Sequence, residues 1–175
     1  MPEMGTLGTK LVILRGNSGS GKSSVAQKIR DRYGHGVAIV GQDNLRRVIL
    51  GERDVPGGAN IGLIDITTRY ALDHGYHVVL EGILRADKFG EVLGALAADH
   101  IGLTRAYYFD VSFEETLRRH ATKPQAVEYG EPEMRAWFLP NDLVSSPKER
   151  RIPERSSLDE AAEKIVREVE LITVG

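Results

Sequence analysis

Cysteine is absent from the 175 residues, which excludes disulfides, a thiolate nucleophile and a cysteine-bound zinc site. No apolar run reaches the roughly 18 residues that a membrane-spanning helix needs. Residues 1–6 lack the basic start and apolar stretch of a signal peptide. We therefore expect a cytoplasmic protein with no membrane partner.

An excess of charge of either sign is also missing. The chain has 23 lysines and arginines against 25 aspartates and glutamates, a formal net charge of −2. This balance argues against a protein that coats long nucleic acid, although a local basic groove could still hold a single 5′ end. The length fits one domain, and 41% hydrophobic residues suffice for its core.

Five short apolar segments predict strands, and helical patterns separate them. The predicted strands are residues 10–15, 37–40, 76–80, 105–109 and, more weakly, 150–152. Strands joined through helices imply a parallel sheet covered on both faces, with ligands at the carboxyl ends of the strands. We expect one three-layer α/β domain over residues 1–175, with a core at about 10–120 and 149–175, a substrate region at about 44–75 and a lid at about 121–148.

The strongest motif follows the first predicted strand. Gly16-Asn17-Ser18-Gly19-Ser20-Gly21-Lys22-Ser23 matches G-x-x-x-x-G-K-[ST], the Walker A phosphate loop, and opens a predicted helix. Its backbone N–H groups would hold phosphate oxygens, Lys22 would reach the β- and γ-phosphates, and Ser23 would ligate Mg²⁺. The predicted nucleotide site is Gly16, Asn17, Ser18, Gly19, Ser20, Gly21, Lys22, Ser23 and Ser24.

The rest of the sequence separates the classes of nucleotide-binding protein. A GTPase would need a guanine-reading Asn-Lys-x-Asp, which the chain lacks, and an assembly ATPase normally needs a longer chain. A kinase that uses ATP and Mg²⁺ fits the size. A regulatory switch that binds nucleotide and hydrolyses it slowly is the alternative from another class.

Two strand ends carry candidate acceptor residues. Asp43 follows the second strand, where it could take the proton of an attacking hydroxyl, and Arg46 could clamp an anionic part of the substrate. Asp43 could instead only cap the next helix. Glu81 ends the third strand, where it could hold the Mg²⁺ water shell or orient substrate, or be simply solvated.

The proline-dotted lid segment begins and continues with cations. Arg118, Arg119 and Lys123 lead into it, and Arg135 lies in a short helix predicted over 131–138. Such cations can close over a triphosphate, neutralise charge and expel water. The alternative is a solvated basic face.

Over roughly residues 10–170 the chain resembles P-loop kinases of the polynucleotide-kinase, zeta-toxin and chloramphenicol-phosphotransferase type. The resemblance rests on the phosphate loop, Asp43-x-x-Arg46, Arg119-x-x-x-Lys123-Pro124 and Met134-Arg135-Ala136-Trp137. It implies strand order 2-3-1-4-5, Asp43 as general base, Arg46 on a substrate phosphate, Arg119 against adenine or triphosphate, and adenine contact near 153–156. Lys123 stands where the family more usually has an arginine, so Arg135 is a second candidate for the main lid cation.

The predicted function is transfer of the γ-phosphoryl group of ATP to a hydroxyl. The expected catalytic residues are Asp43, Lys22, Arg119, Lys123 and Arg135. The mixed charge of the substrate region favours a small polar acceptor such as an antibiotic, nucleoside or sugar, with a 5′-hydroxyl polynucleotide as the alternative.

Overall fold

A computed structural model describes residues 2–171 of the chain and contains one five-stranded parallel sheet. Its order is β2-β3-β1-β4-β5, which confirms the predicted α/β fold and topology. The strands are β1 (Lys10–Gly16), β2 (Val37–Gly41), β3 (His77–Gly82), β4 (Leu103–Asp110) and β5 (Glu149–Pro153).

Six α-helices connect and cover these strands. They are α1 (Lys22–Tyr33), α2 (Ala59–Asp73), α3 (Ala86–Asp99), α4 (Phe113–His120), α5 (Glu131–Trp137) and α6 (Leu158–Glu168). A π-helical turn (Asn44–Ile49) follows β2, and a 3₁₀ turn (Pro124–Val127) lies between α4 and α5. Within residues 2–171, every helix is too short or too polar to cross a bilayer.

The central strand β1 is buried on both faces, so its apolar residues run continuously instead of alternating with polar ones. Val12 and Leu14 belong to the core cluster that includes residues of α1 and α6. Leu11 and Ile13 belong to the cluster that includes residues of α2 and α3. Two apolar layers thus hold the sheet rigid and fix the loops at its carboxyl edge.

A buried arginine ends the apolar run of β1. Arg15 is 0% exposed, and its guanidinium pairs with Glu149 at 2.7 Å and Asp142 at 3.0 Å. Its Nε donates to the Leu84 carbonyl at 3.0 Å. This cluster fastens residues 139–144, which we call the strap, to the carboxyl edge of the sheet.

Replacing Arg15 by leucine should lower the free energy of unfolding by about 3–5 kcal/mol, because it leaves two carboxylates without their buried partner. Urea denaturation followed by circular dichroism measures the change. Arg151→Leu is the matched control, since that arginine pairs with Asp110 at the surface and should cost within about 0.5 kcal/mol. Equal losses in the two variants would contradict a structural role for the Arg15 cluster.

Candidate active site

The phosphate loop turns between β1 and α1 with helices close against it. Gly19 and Gly21 have φ values of 81° and 102°, a region that glycine enters without strain. A Cβ on Gly19 would lie 2.7 Å from the Thr116 carbonyl oxygen of α4, and one on Gly21 would lie 2.7 Å from Leu158 of α6. Gly19 is therefore required by backbone shape and by space, and Gly21 by its backbone shape.

Lys22 lies buried at the centre of this loop. Its Nζ donates to the Asn17 carbonyl at 2.8 Å and to Ser20 Oγ at 3.3 Å. Burial lowers the pKa of Lys22 to about 8, although the carboxylates of Glu81 and Asp43 act in the opposite direction. A poorly hydrated ammonium in this place would interact strongly with phosphate oxygens.

Glu81 and Ser23 form a pair of oxygen donors beside Lys22. Ser23 Oγ donates to Glu81 Oε1 at 3.1 Å, and burial raises the pKa of the Glu81 carboxyl against the opposing charge of Lys22. Glu81 is only 9% exposed, so it is not the solvated strand end that the sequence left open.

The hydroxyl and carboxylate of this pair are the hard donors that suit Mg²⁺. Across residues 2–171 no group of three or more His, Asp or Glu side chains could hold a metal. Ser23 and Glu81 would therefore hold Mg²⁺ together with oxygens of a bound triphosphate.

A cavity of about 480 Å³ opens beside the phosphate loop, a size that suits a small molecule. Its walls come from the π-helical turn, the start of α3 and residues 128–137, which fall in the predicted lid. The charged lining residues are Asp43, Arg46, Arg47, Asp54, Arg85, Lys88, Glu128 and Glu133, and the aromatic ones are Phe89, Tyr129 and Trp137. Glu81 does not line this cavity. Its carboxylate instead accepts a hydrogen bond from Ser23, on the nucleotide side of the site.

Asp43 lies where the cavity and the nucleotide loop meet. Its side chain lines the cavity and is 72% exposed, and its carboxylate also acts electrostatically on Lys22. Its backbone is already helical, and its side chain makes no capping hydrogen bond with any described residue, which removes the capping alternative. Arg46 Nη2 lies 3.8 Å from the Asp43 carboxylate while its Nη1 donates to the Glu52 carbonyl at 2.9 Å.

Two of the predicted lid cations contact the phosphate loop or the first turn of α1 beside it. Arg119 donates to the Ser20 carbonyl at 2.7 Å and to the Glu154 carbonyl, in the segment after β5, at 3.0 Å. Lys123 Nζ donates to Ser24 Oγ at 3.2 Å, and burial lowers the pKa of Lys123 although Glu81 attracts its charge. The Lys123 ammonium is thus close enough to the nucleotide site to interact with Ser24 and with the charge of Glu81.

The other two cations face away from the loop. Arg135 pairs with Glu131 at 2.7 Å, lies 4.4 Å from the centre of the Phe113 ring, and has a side chain 64% exposed. Arg118 pairs with Glu115 at the surface. In α5 the residues Glu131 and Arg135 are one helical turn apart on the outer side, whereas Met134 is buried, so the helix directs Arg135 outward.

Several contacts at the site carry no motif in the sequence. Tyr129 hydroxyl lies 3.0 Å from Ser18 Oγ, and Asn17 exchanges two hydrogen bonds with the backbone of Leu139. Lys88 lines the cavity and pairs with Asp54 at 3.0 Å. Of these residues, only Lys88 has a position in the sequence that indicates a place at the site, because α3 begins shortly after the carboxyl end of β3.

The AAA domain family, designated AAA_33, matches residues 11–137, from β1 to the last residue of α5. No curated protein matches the sequence. Among solved structures, the APS kinase CysC of Mycobacterium tuberculosis in complex with AMPPNP and APS superposes with a TM-score of 0.71 and 21% identity, covering 97% of this chain and 99% of that one.

Two further structures show the same architecture. A gluconokinase from Sinorhizobium meliloti 1021 has a TM-score of 0.60 and 16% identity, over 97% of this chain and 96% of that one. A sugar kinase from Janibacter sp. HTCC2649 has a TM-score of 0.63 and 15% identity, over 93% and 95%. Identities this low establish a shared fold and nothing finer.

Proposed function

The chain belongs to the AAA domain family, and from its phosphate loop and adjoining cavity we propose that it is a kinase that uses ATP and Mg²⁺. The acceptor is a hydroxyl group on a small polar molecule. The observation that carries this proposal is the placement of Asp43, whose carboxylate lies in the cavity and within the electrostatic reach of Lys22. Solved kinases with this fold support it.

In the proposed reaction the acceptor hydroxyl lies in the cavity and gives its proton to Asp43. Its oxygen forms a bond to the γ-phosphorus, and the bond from that phosphorus to the bridging oxygen of ADP breaks. Lys22 stabilises the charge on the transferring and leaving oxygens. Mg²⁺, held by Ser23 and Glu81, would neutralise the β- and γ-phosphates when bound.

Arg119 and Lys123 close the nucleotide side of the site. Arg119 joins the phosphate loop to the segment after β5, where it would lie against the nucleotide. Lys123 would contact the phosphates from the lid, since its ammonium already lies beside Ser24. Both cations would help to exclude water that could otherwise hydrolyse ATP.

Lys123→Ala should lower transfer by roughly 10- to 100-fold, because it removes a partly buried cation from the site of charge transfer. Arg135→Ala is the matched control, since its side chain faces solvent, and should change the rate less than about twofold. Steady-state kinetics of ADP release measures both. If Arg135→Ala lost most of the transfer rate while Lys123→Ala kept the wild-type rate, Arg135 and not Lys123 would be the main lid cation.

A second candidate is a 5′-hydroxyl polynucleotide kinase. The supporting observation is Arg46, 3.8 Å from Asp43, where a cation could hold a phosphate next to the reacting hydroxyl. The small volume of the cavity, about 480 Å³, and the formal net charge of −2 favour a small acceptor instead.

A single screen tests the proposal. ATP turnover with Mg²⁺ is measured with nucleosides, sugars, hydroxylated antibiotics and 5′-hydroxyl oligonucleotides, each with wild-type protein and Asp43→Asn. Stimulation by one class that depends on Asp43 supports the kinase and identifies its acceptor. Tight ATP binding without stimulation by any class would favour the regulatory switch.

A further inference from the structure

Both ends of the lid helix α5 are fastened to side chains of the phosphate loop. Before the helix, the Tyr129 hydroxyl lies 3.0 Å from Ser18 Oγ. After the helix, Asn17 Nδ2 donates to the Leu139 carbonyl at 2.9 Å, and the Leu139 N–H donates to Asn17 Oδ1 at 2.8 Å. Asn17 and Ser18 occupy the variable positions of the loop motif, which phosphate binding through the backbone leaves free.

The contact through Asn17 is specific in its geometry. A carboxamide that donates to the carbonyl of one residue and accepts from the N–H of the same residue holds the backbone of that residue on both sides. The Tyr108 hydroxyl donates a second hydrogen bond to the Leu139 carbonyl at 3.3 Å, and Asp142 of the strap pairs with Arg15. The end of α5 is thus held by the loop on one side and by the sheet on the other.

The fastened helix also forms one wall of the acceptor cavity. Tyr129 and Trp137, at its two ends, both line the cavity, and their rings meet edge to face at a centroid distance of 5.1 Å. A shift of the phosphate loop at Asn17 or Ser18 would therefore be passed on to Tyr129 and Trp137, which line this cavity.

We propose that Asn17 and Ser18 are positioning residues that couple nucleotide binding at the phosphate loop to the shape of the acceptor cavity. The inference rests on the nucleotide-binding part of the proposed function and adds a route between the two sites. By linkage, an acceptor in the cavity strengthens nucleotide binding by the same factor by which nucleotide strengthens acceptor binding.

Trp137 allows this coupling to be measured without knowledge of the acceptor. It is the single tryptophan of the chain and lies two residues before Leu139. We expect AMPPNP with Mg²⁺ to change its emission in the wild type, since the ring lines the cavity and contacts the Tyr129 ring. Calorimetry on the same samples establishes the nucleotide concentration that saturates each variant.

Tyr129→Phe removes the hydroxyl that meets Ser18 and leaves every atom of the phosphate loop in place, and adding Asn17→Ala removes the second fastening. At saturating nucleotide we expect a partial loss of the emission change in Tyr129→Phe and its near-complete loss in the double variant. Tyr33→Phe is the matched control, because that hydroxyl contacts His77 away from the lid, and it should keep the full change.

Three outcomes would overturn the coupling. One is unchanged Trp137 emission in wild-type protein that calorimetry shows to be saturated. Another is a full emission change in the double variant, and the third is an equal loss in Tyr33→Phe. Absence of nucleotide binding in the wild type would overturn the proposed function together with the coupling, which distinguishes the two failures.

Discussion

Replacing Asp43 by asparagine is expected to lower phosphoryl transfer by roughly 10²–10⁴ while ATP affinity stays near that of the wild type. The amide has the size of the carboxylate but cannot take the acceptor proton. The phosphate loop is untouched, and Asp43 lies in the cavity beside it, so nucleotide contacts persist. Single-turnover transfer from labelled ATP and calorimetry with AMPPNP measure the two quantities separately.

Asp54→Asn is the matched control for this variant. Asp54 lines the same cavity and undergoes the same chemical change, but its carboxylate is engaged by Lys88 at 3.0 Å. We expect Asp54→Asn to alter acceptor KM and to leave most of the transfer rate intact. If transfer to the true acceptor survives in Asp43→Asn, Asp43 is not the general base.

The second large effect is expected from Lys22→Met, which removes the buried ammonium and keeps a side chain of similar length. Transfer should fall by roughly 10²–10³, the effect of losing one preorganised donor to developing charge. Lys28→Met, on the same helix but paired with Asp159 at the surface, should keep normal transfer. Full activity in Lys22→Met would refute the assignment of the phosphate loop.

The pKa of Lys22 gives an independent test of the same residue. Burial lowers this pKa to about 8, so near pH 8 a fraction of the free protein carries a neutral amine. Bound phosphates favour the ammonium and raise the pKa, so nucleotide binding should take up protons near pH 8 and weaken as the pH rises above it. Calorimetry in two buffers of different ionisation enthalpy measures this uptake, which Lys22→Met should lose.

The sheet and the loop could be predicted because their signals are local. Apolar segments at strand spacing and the continuous motif from Gly16 to Ser23 each depend on neighbouring residues. The strand order came from the family resemblance. The burial of Glu81 by contrast depends on how β3 packs beside β1, which the sequence around Glu81 does not encode.

The cations of the predicted lid could be listed from the sequence, but their contacts could not be assigned. Whether Arg135 faces the loop or the solvent depends on how α5 docks, and that is set by Asn17 and Leu139, which are 122 positions apart. Arg15 shows the same limitation, because an arginine at a strand end is normally exposed. Its burial becomes favourable only when Asp142 and Glu149 arrive from the far end of the chain.

Three residues of the cavity wall are suited to redesign of the acceptor preference. Arg47, Arg85 and Trp137 line the cavity from three separate segments, and each side chain is partly exposed and lies outside both core clusters. Exposed side chains of this kind usually change the free energy of unfolding by less than about 0.5 kcal/mol when replaced. Libraries randomised at Arg47 and Arg85, and kept aromatic at Trp137 because its ring contacts Tyr129, should therefore yield folded proteins with new acceptor preferences while the residues that bind ATP stay unchanged.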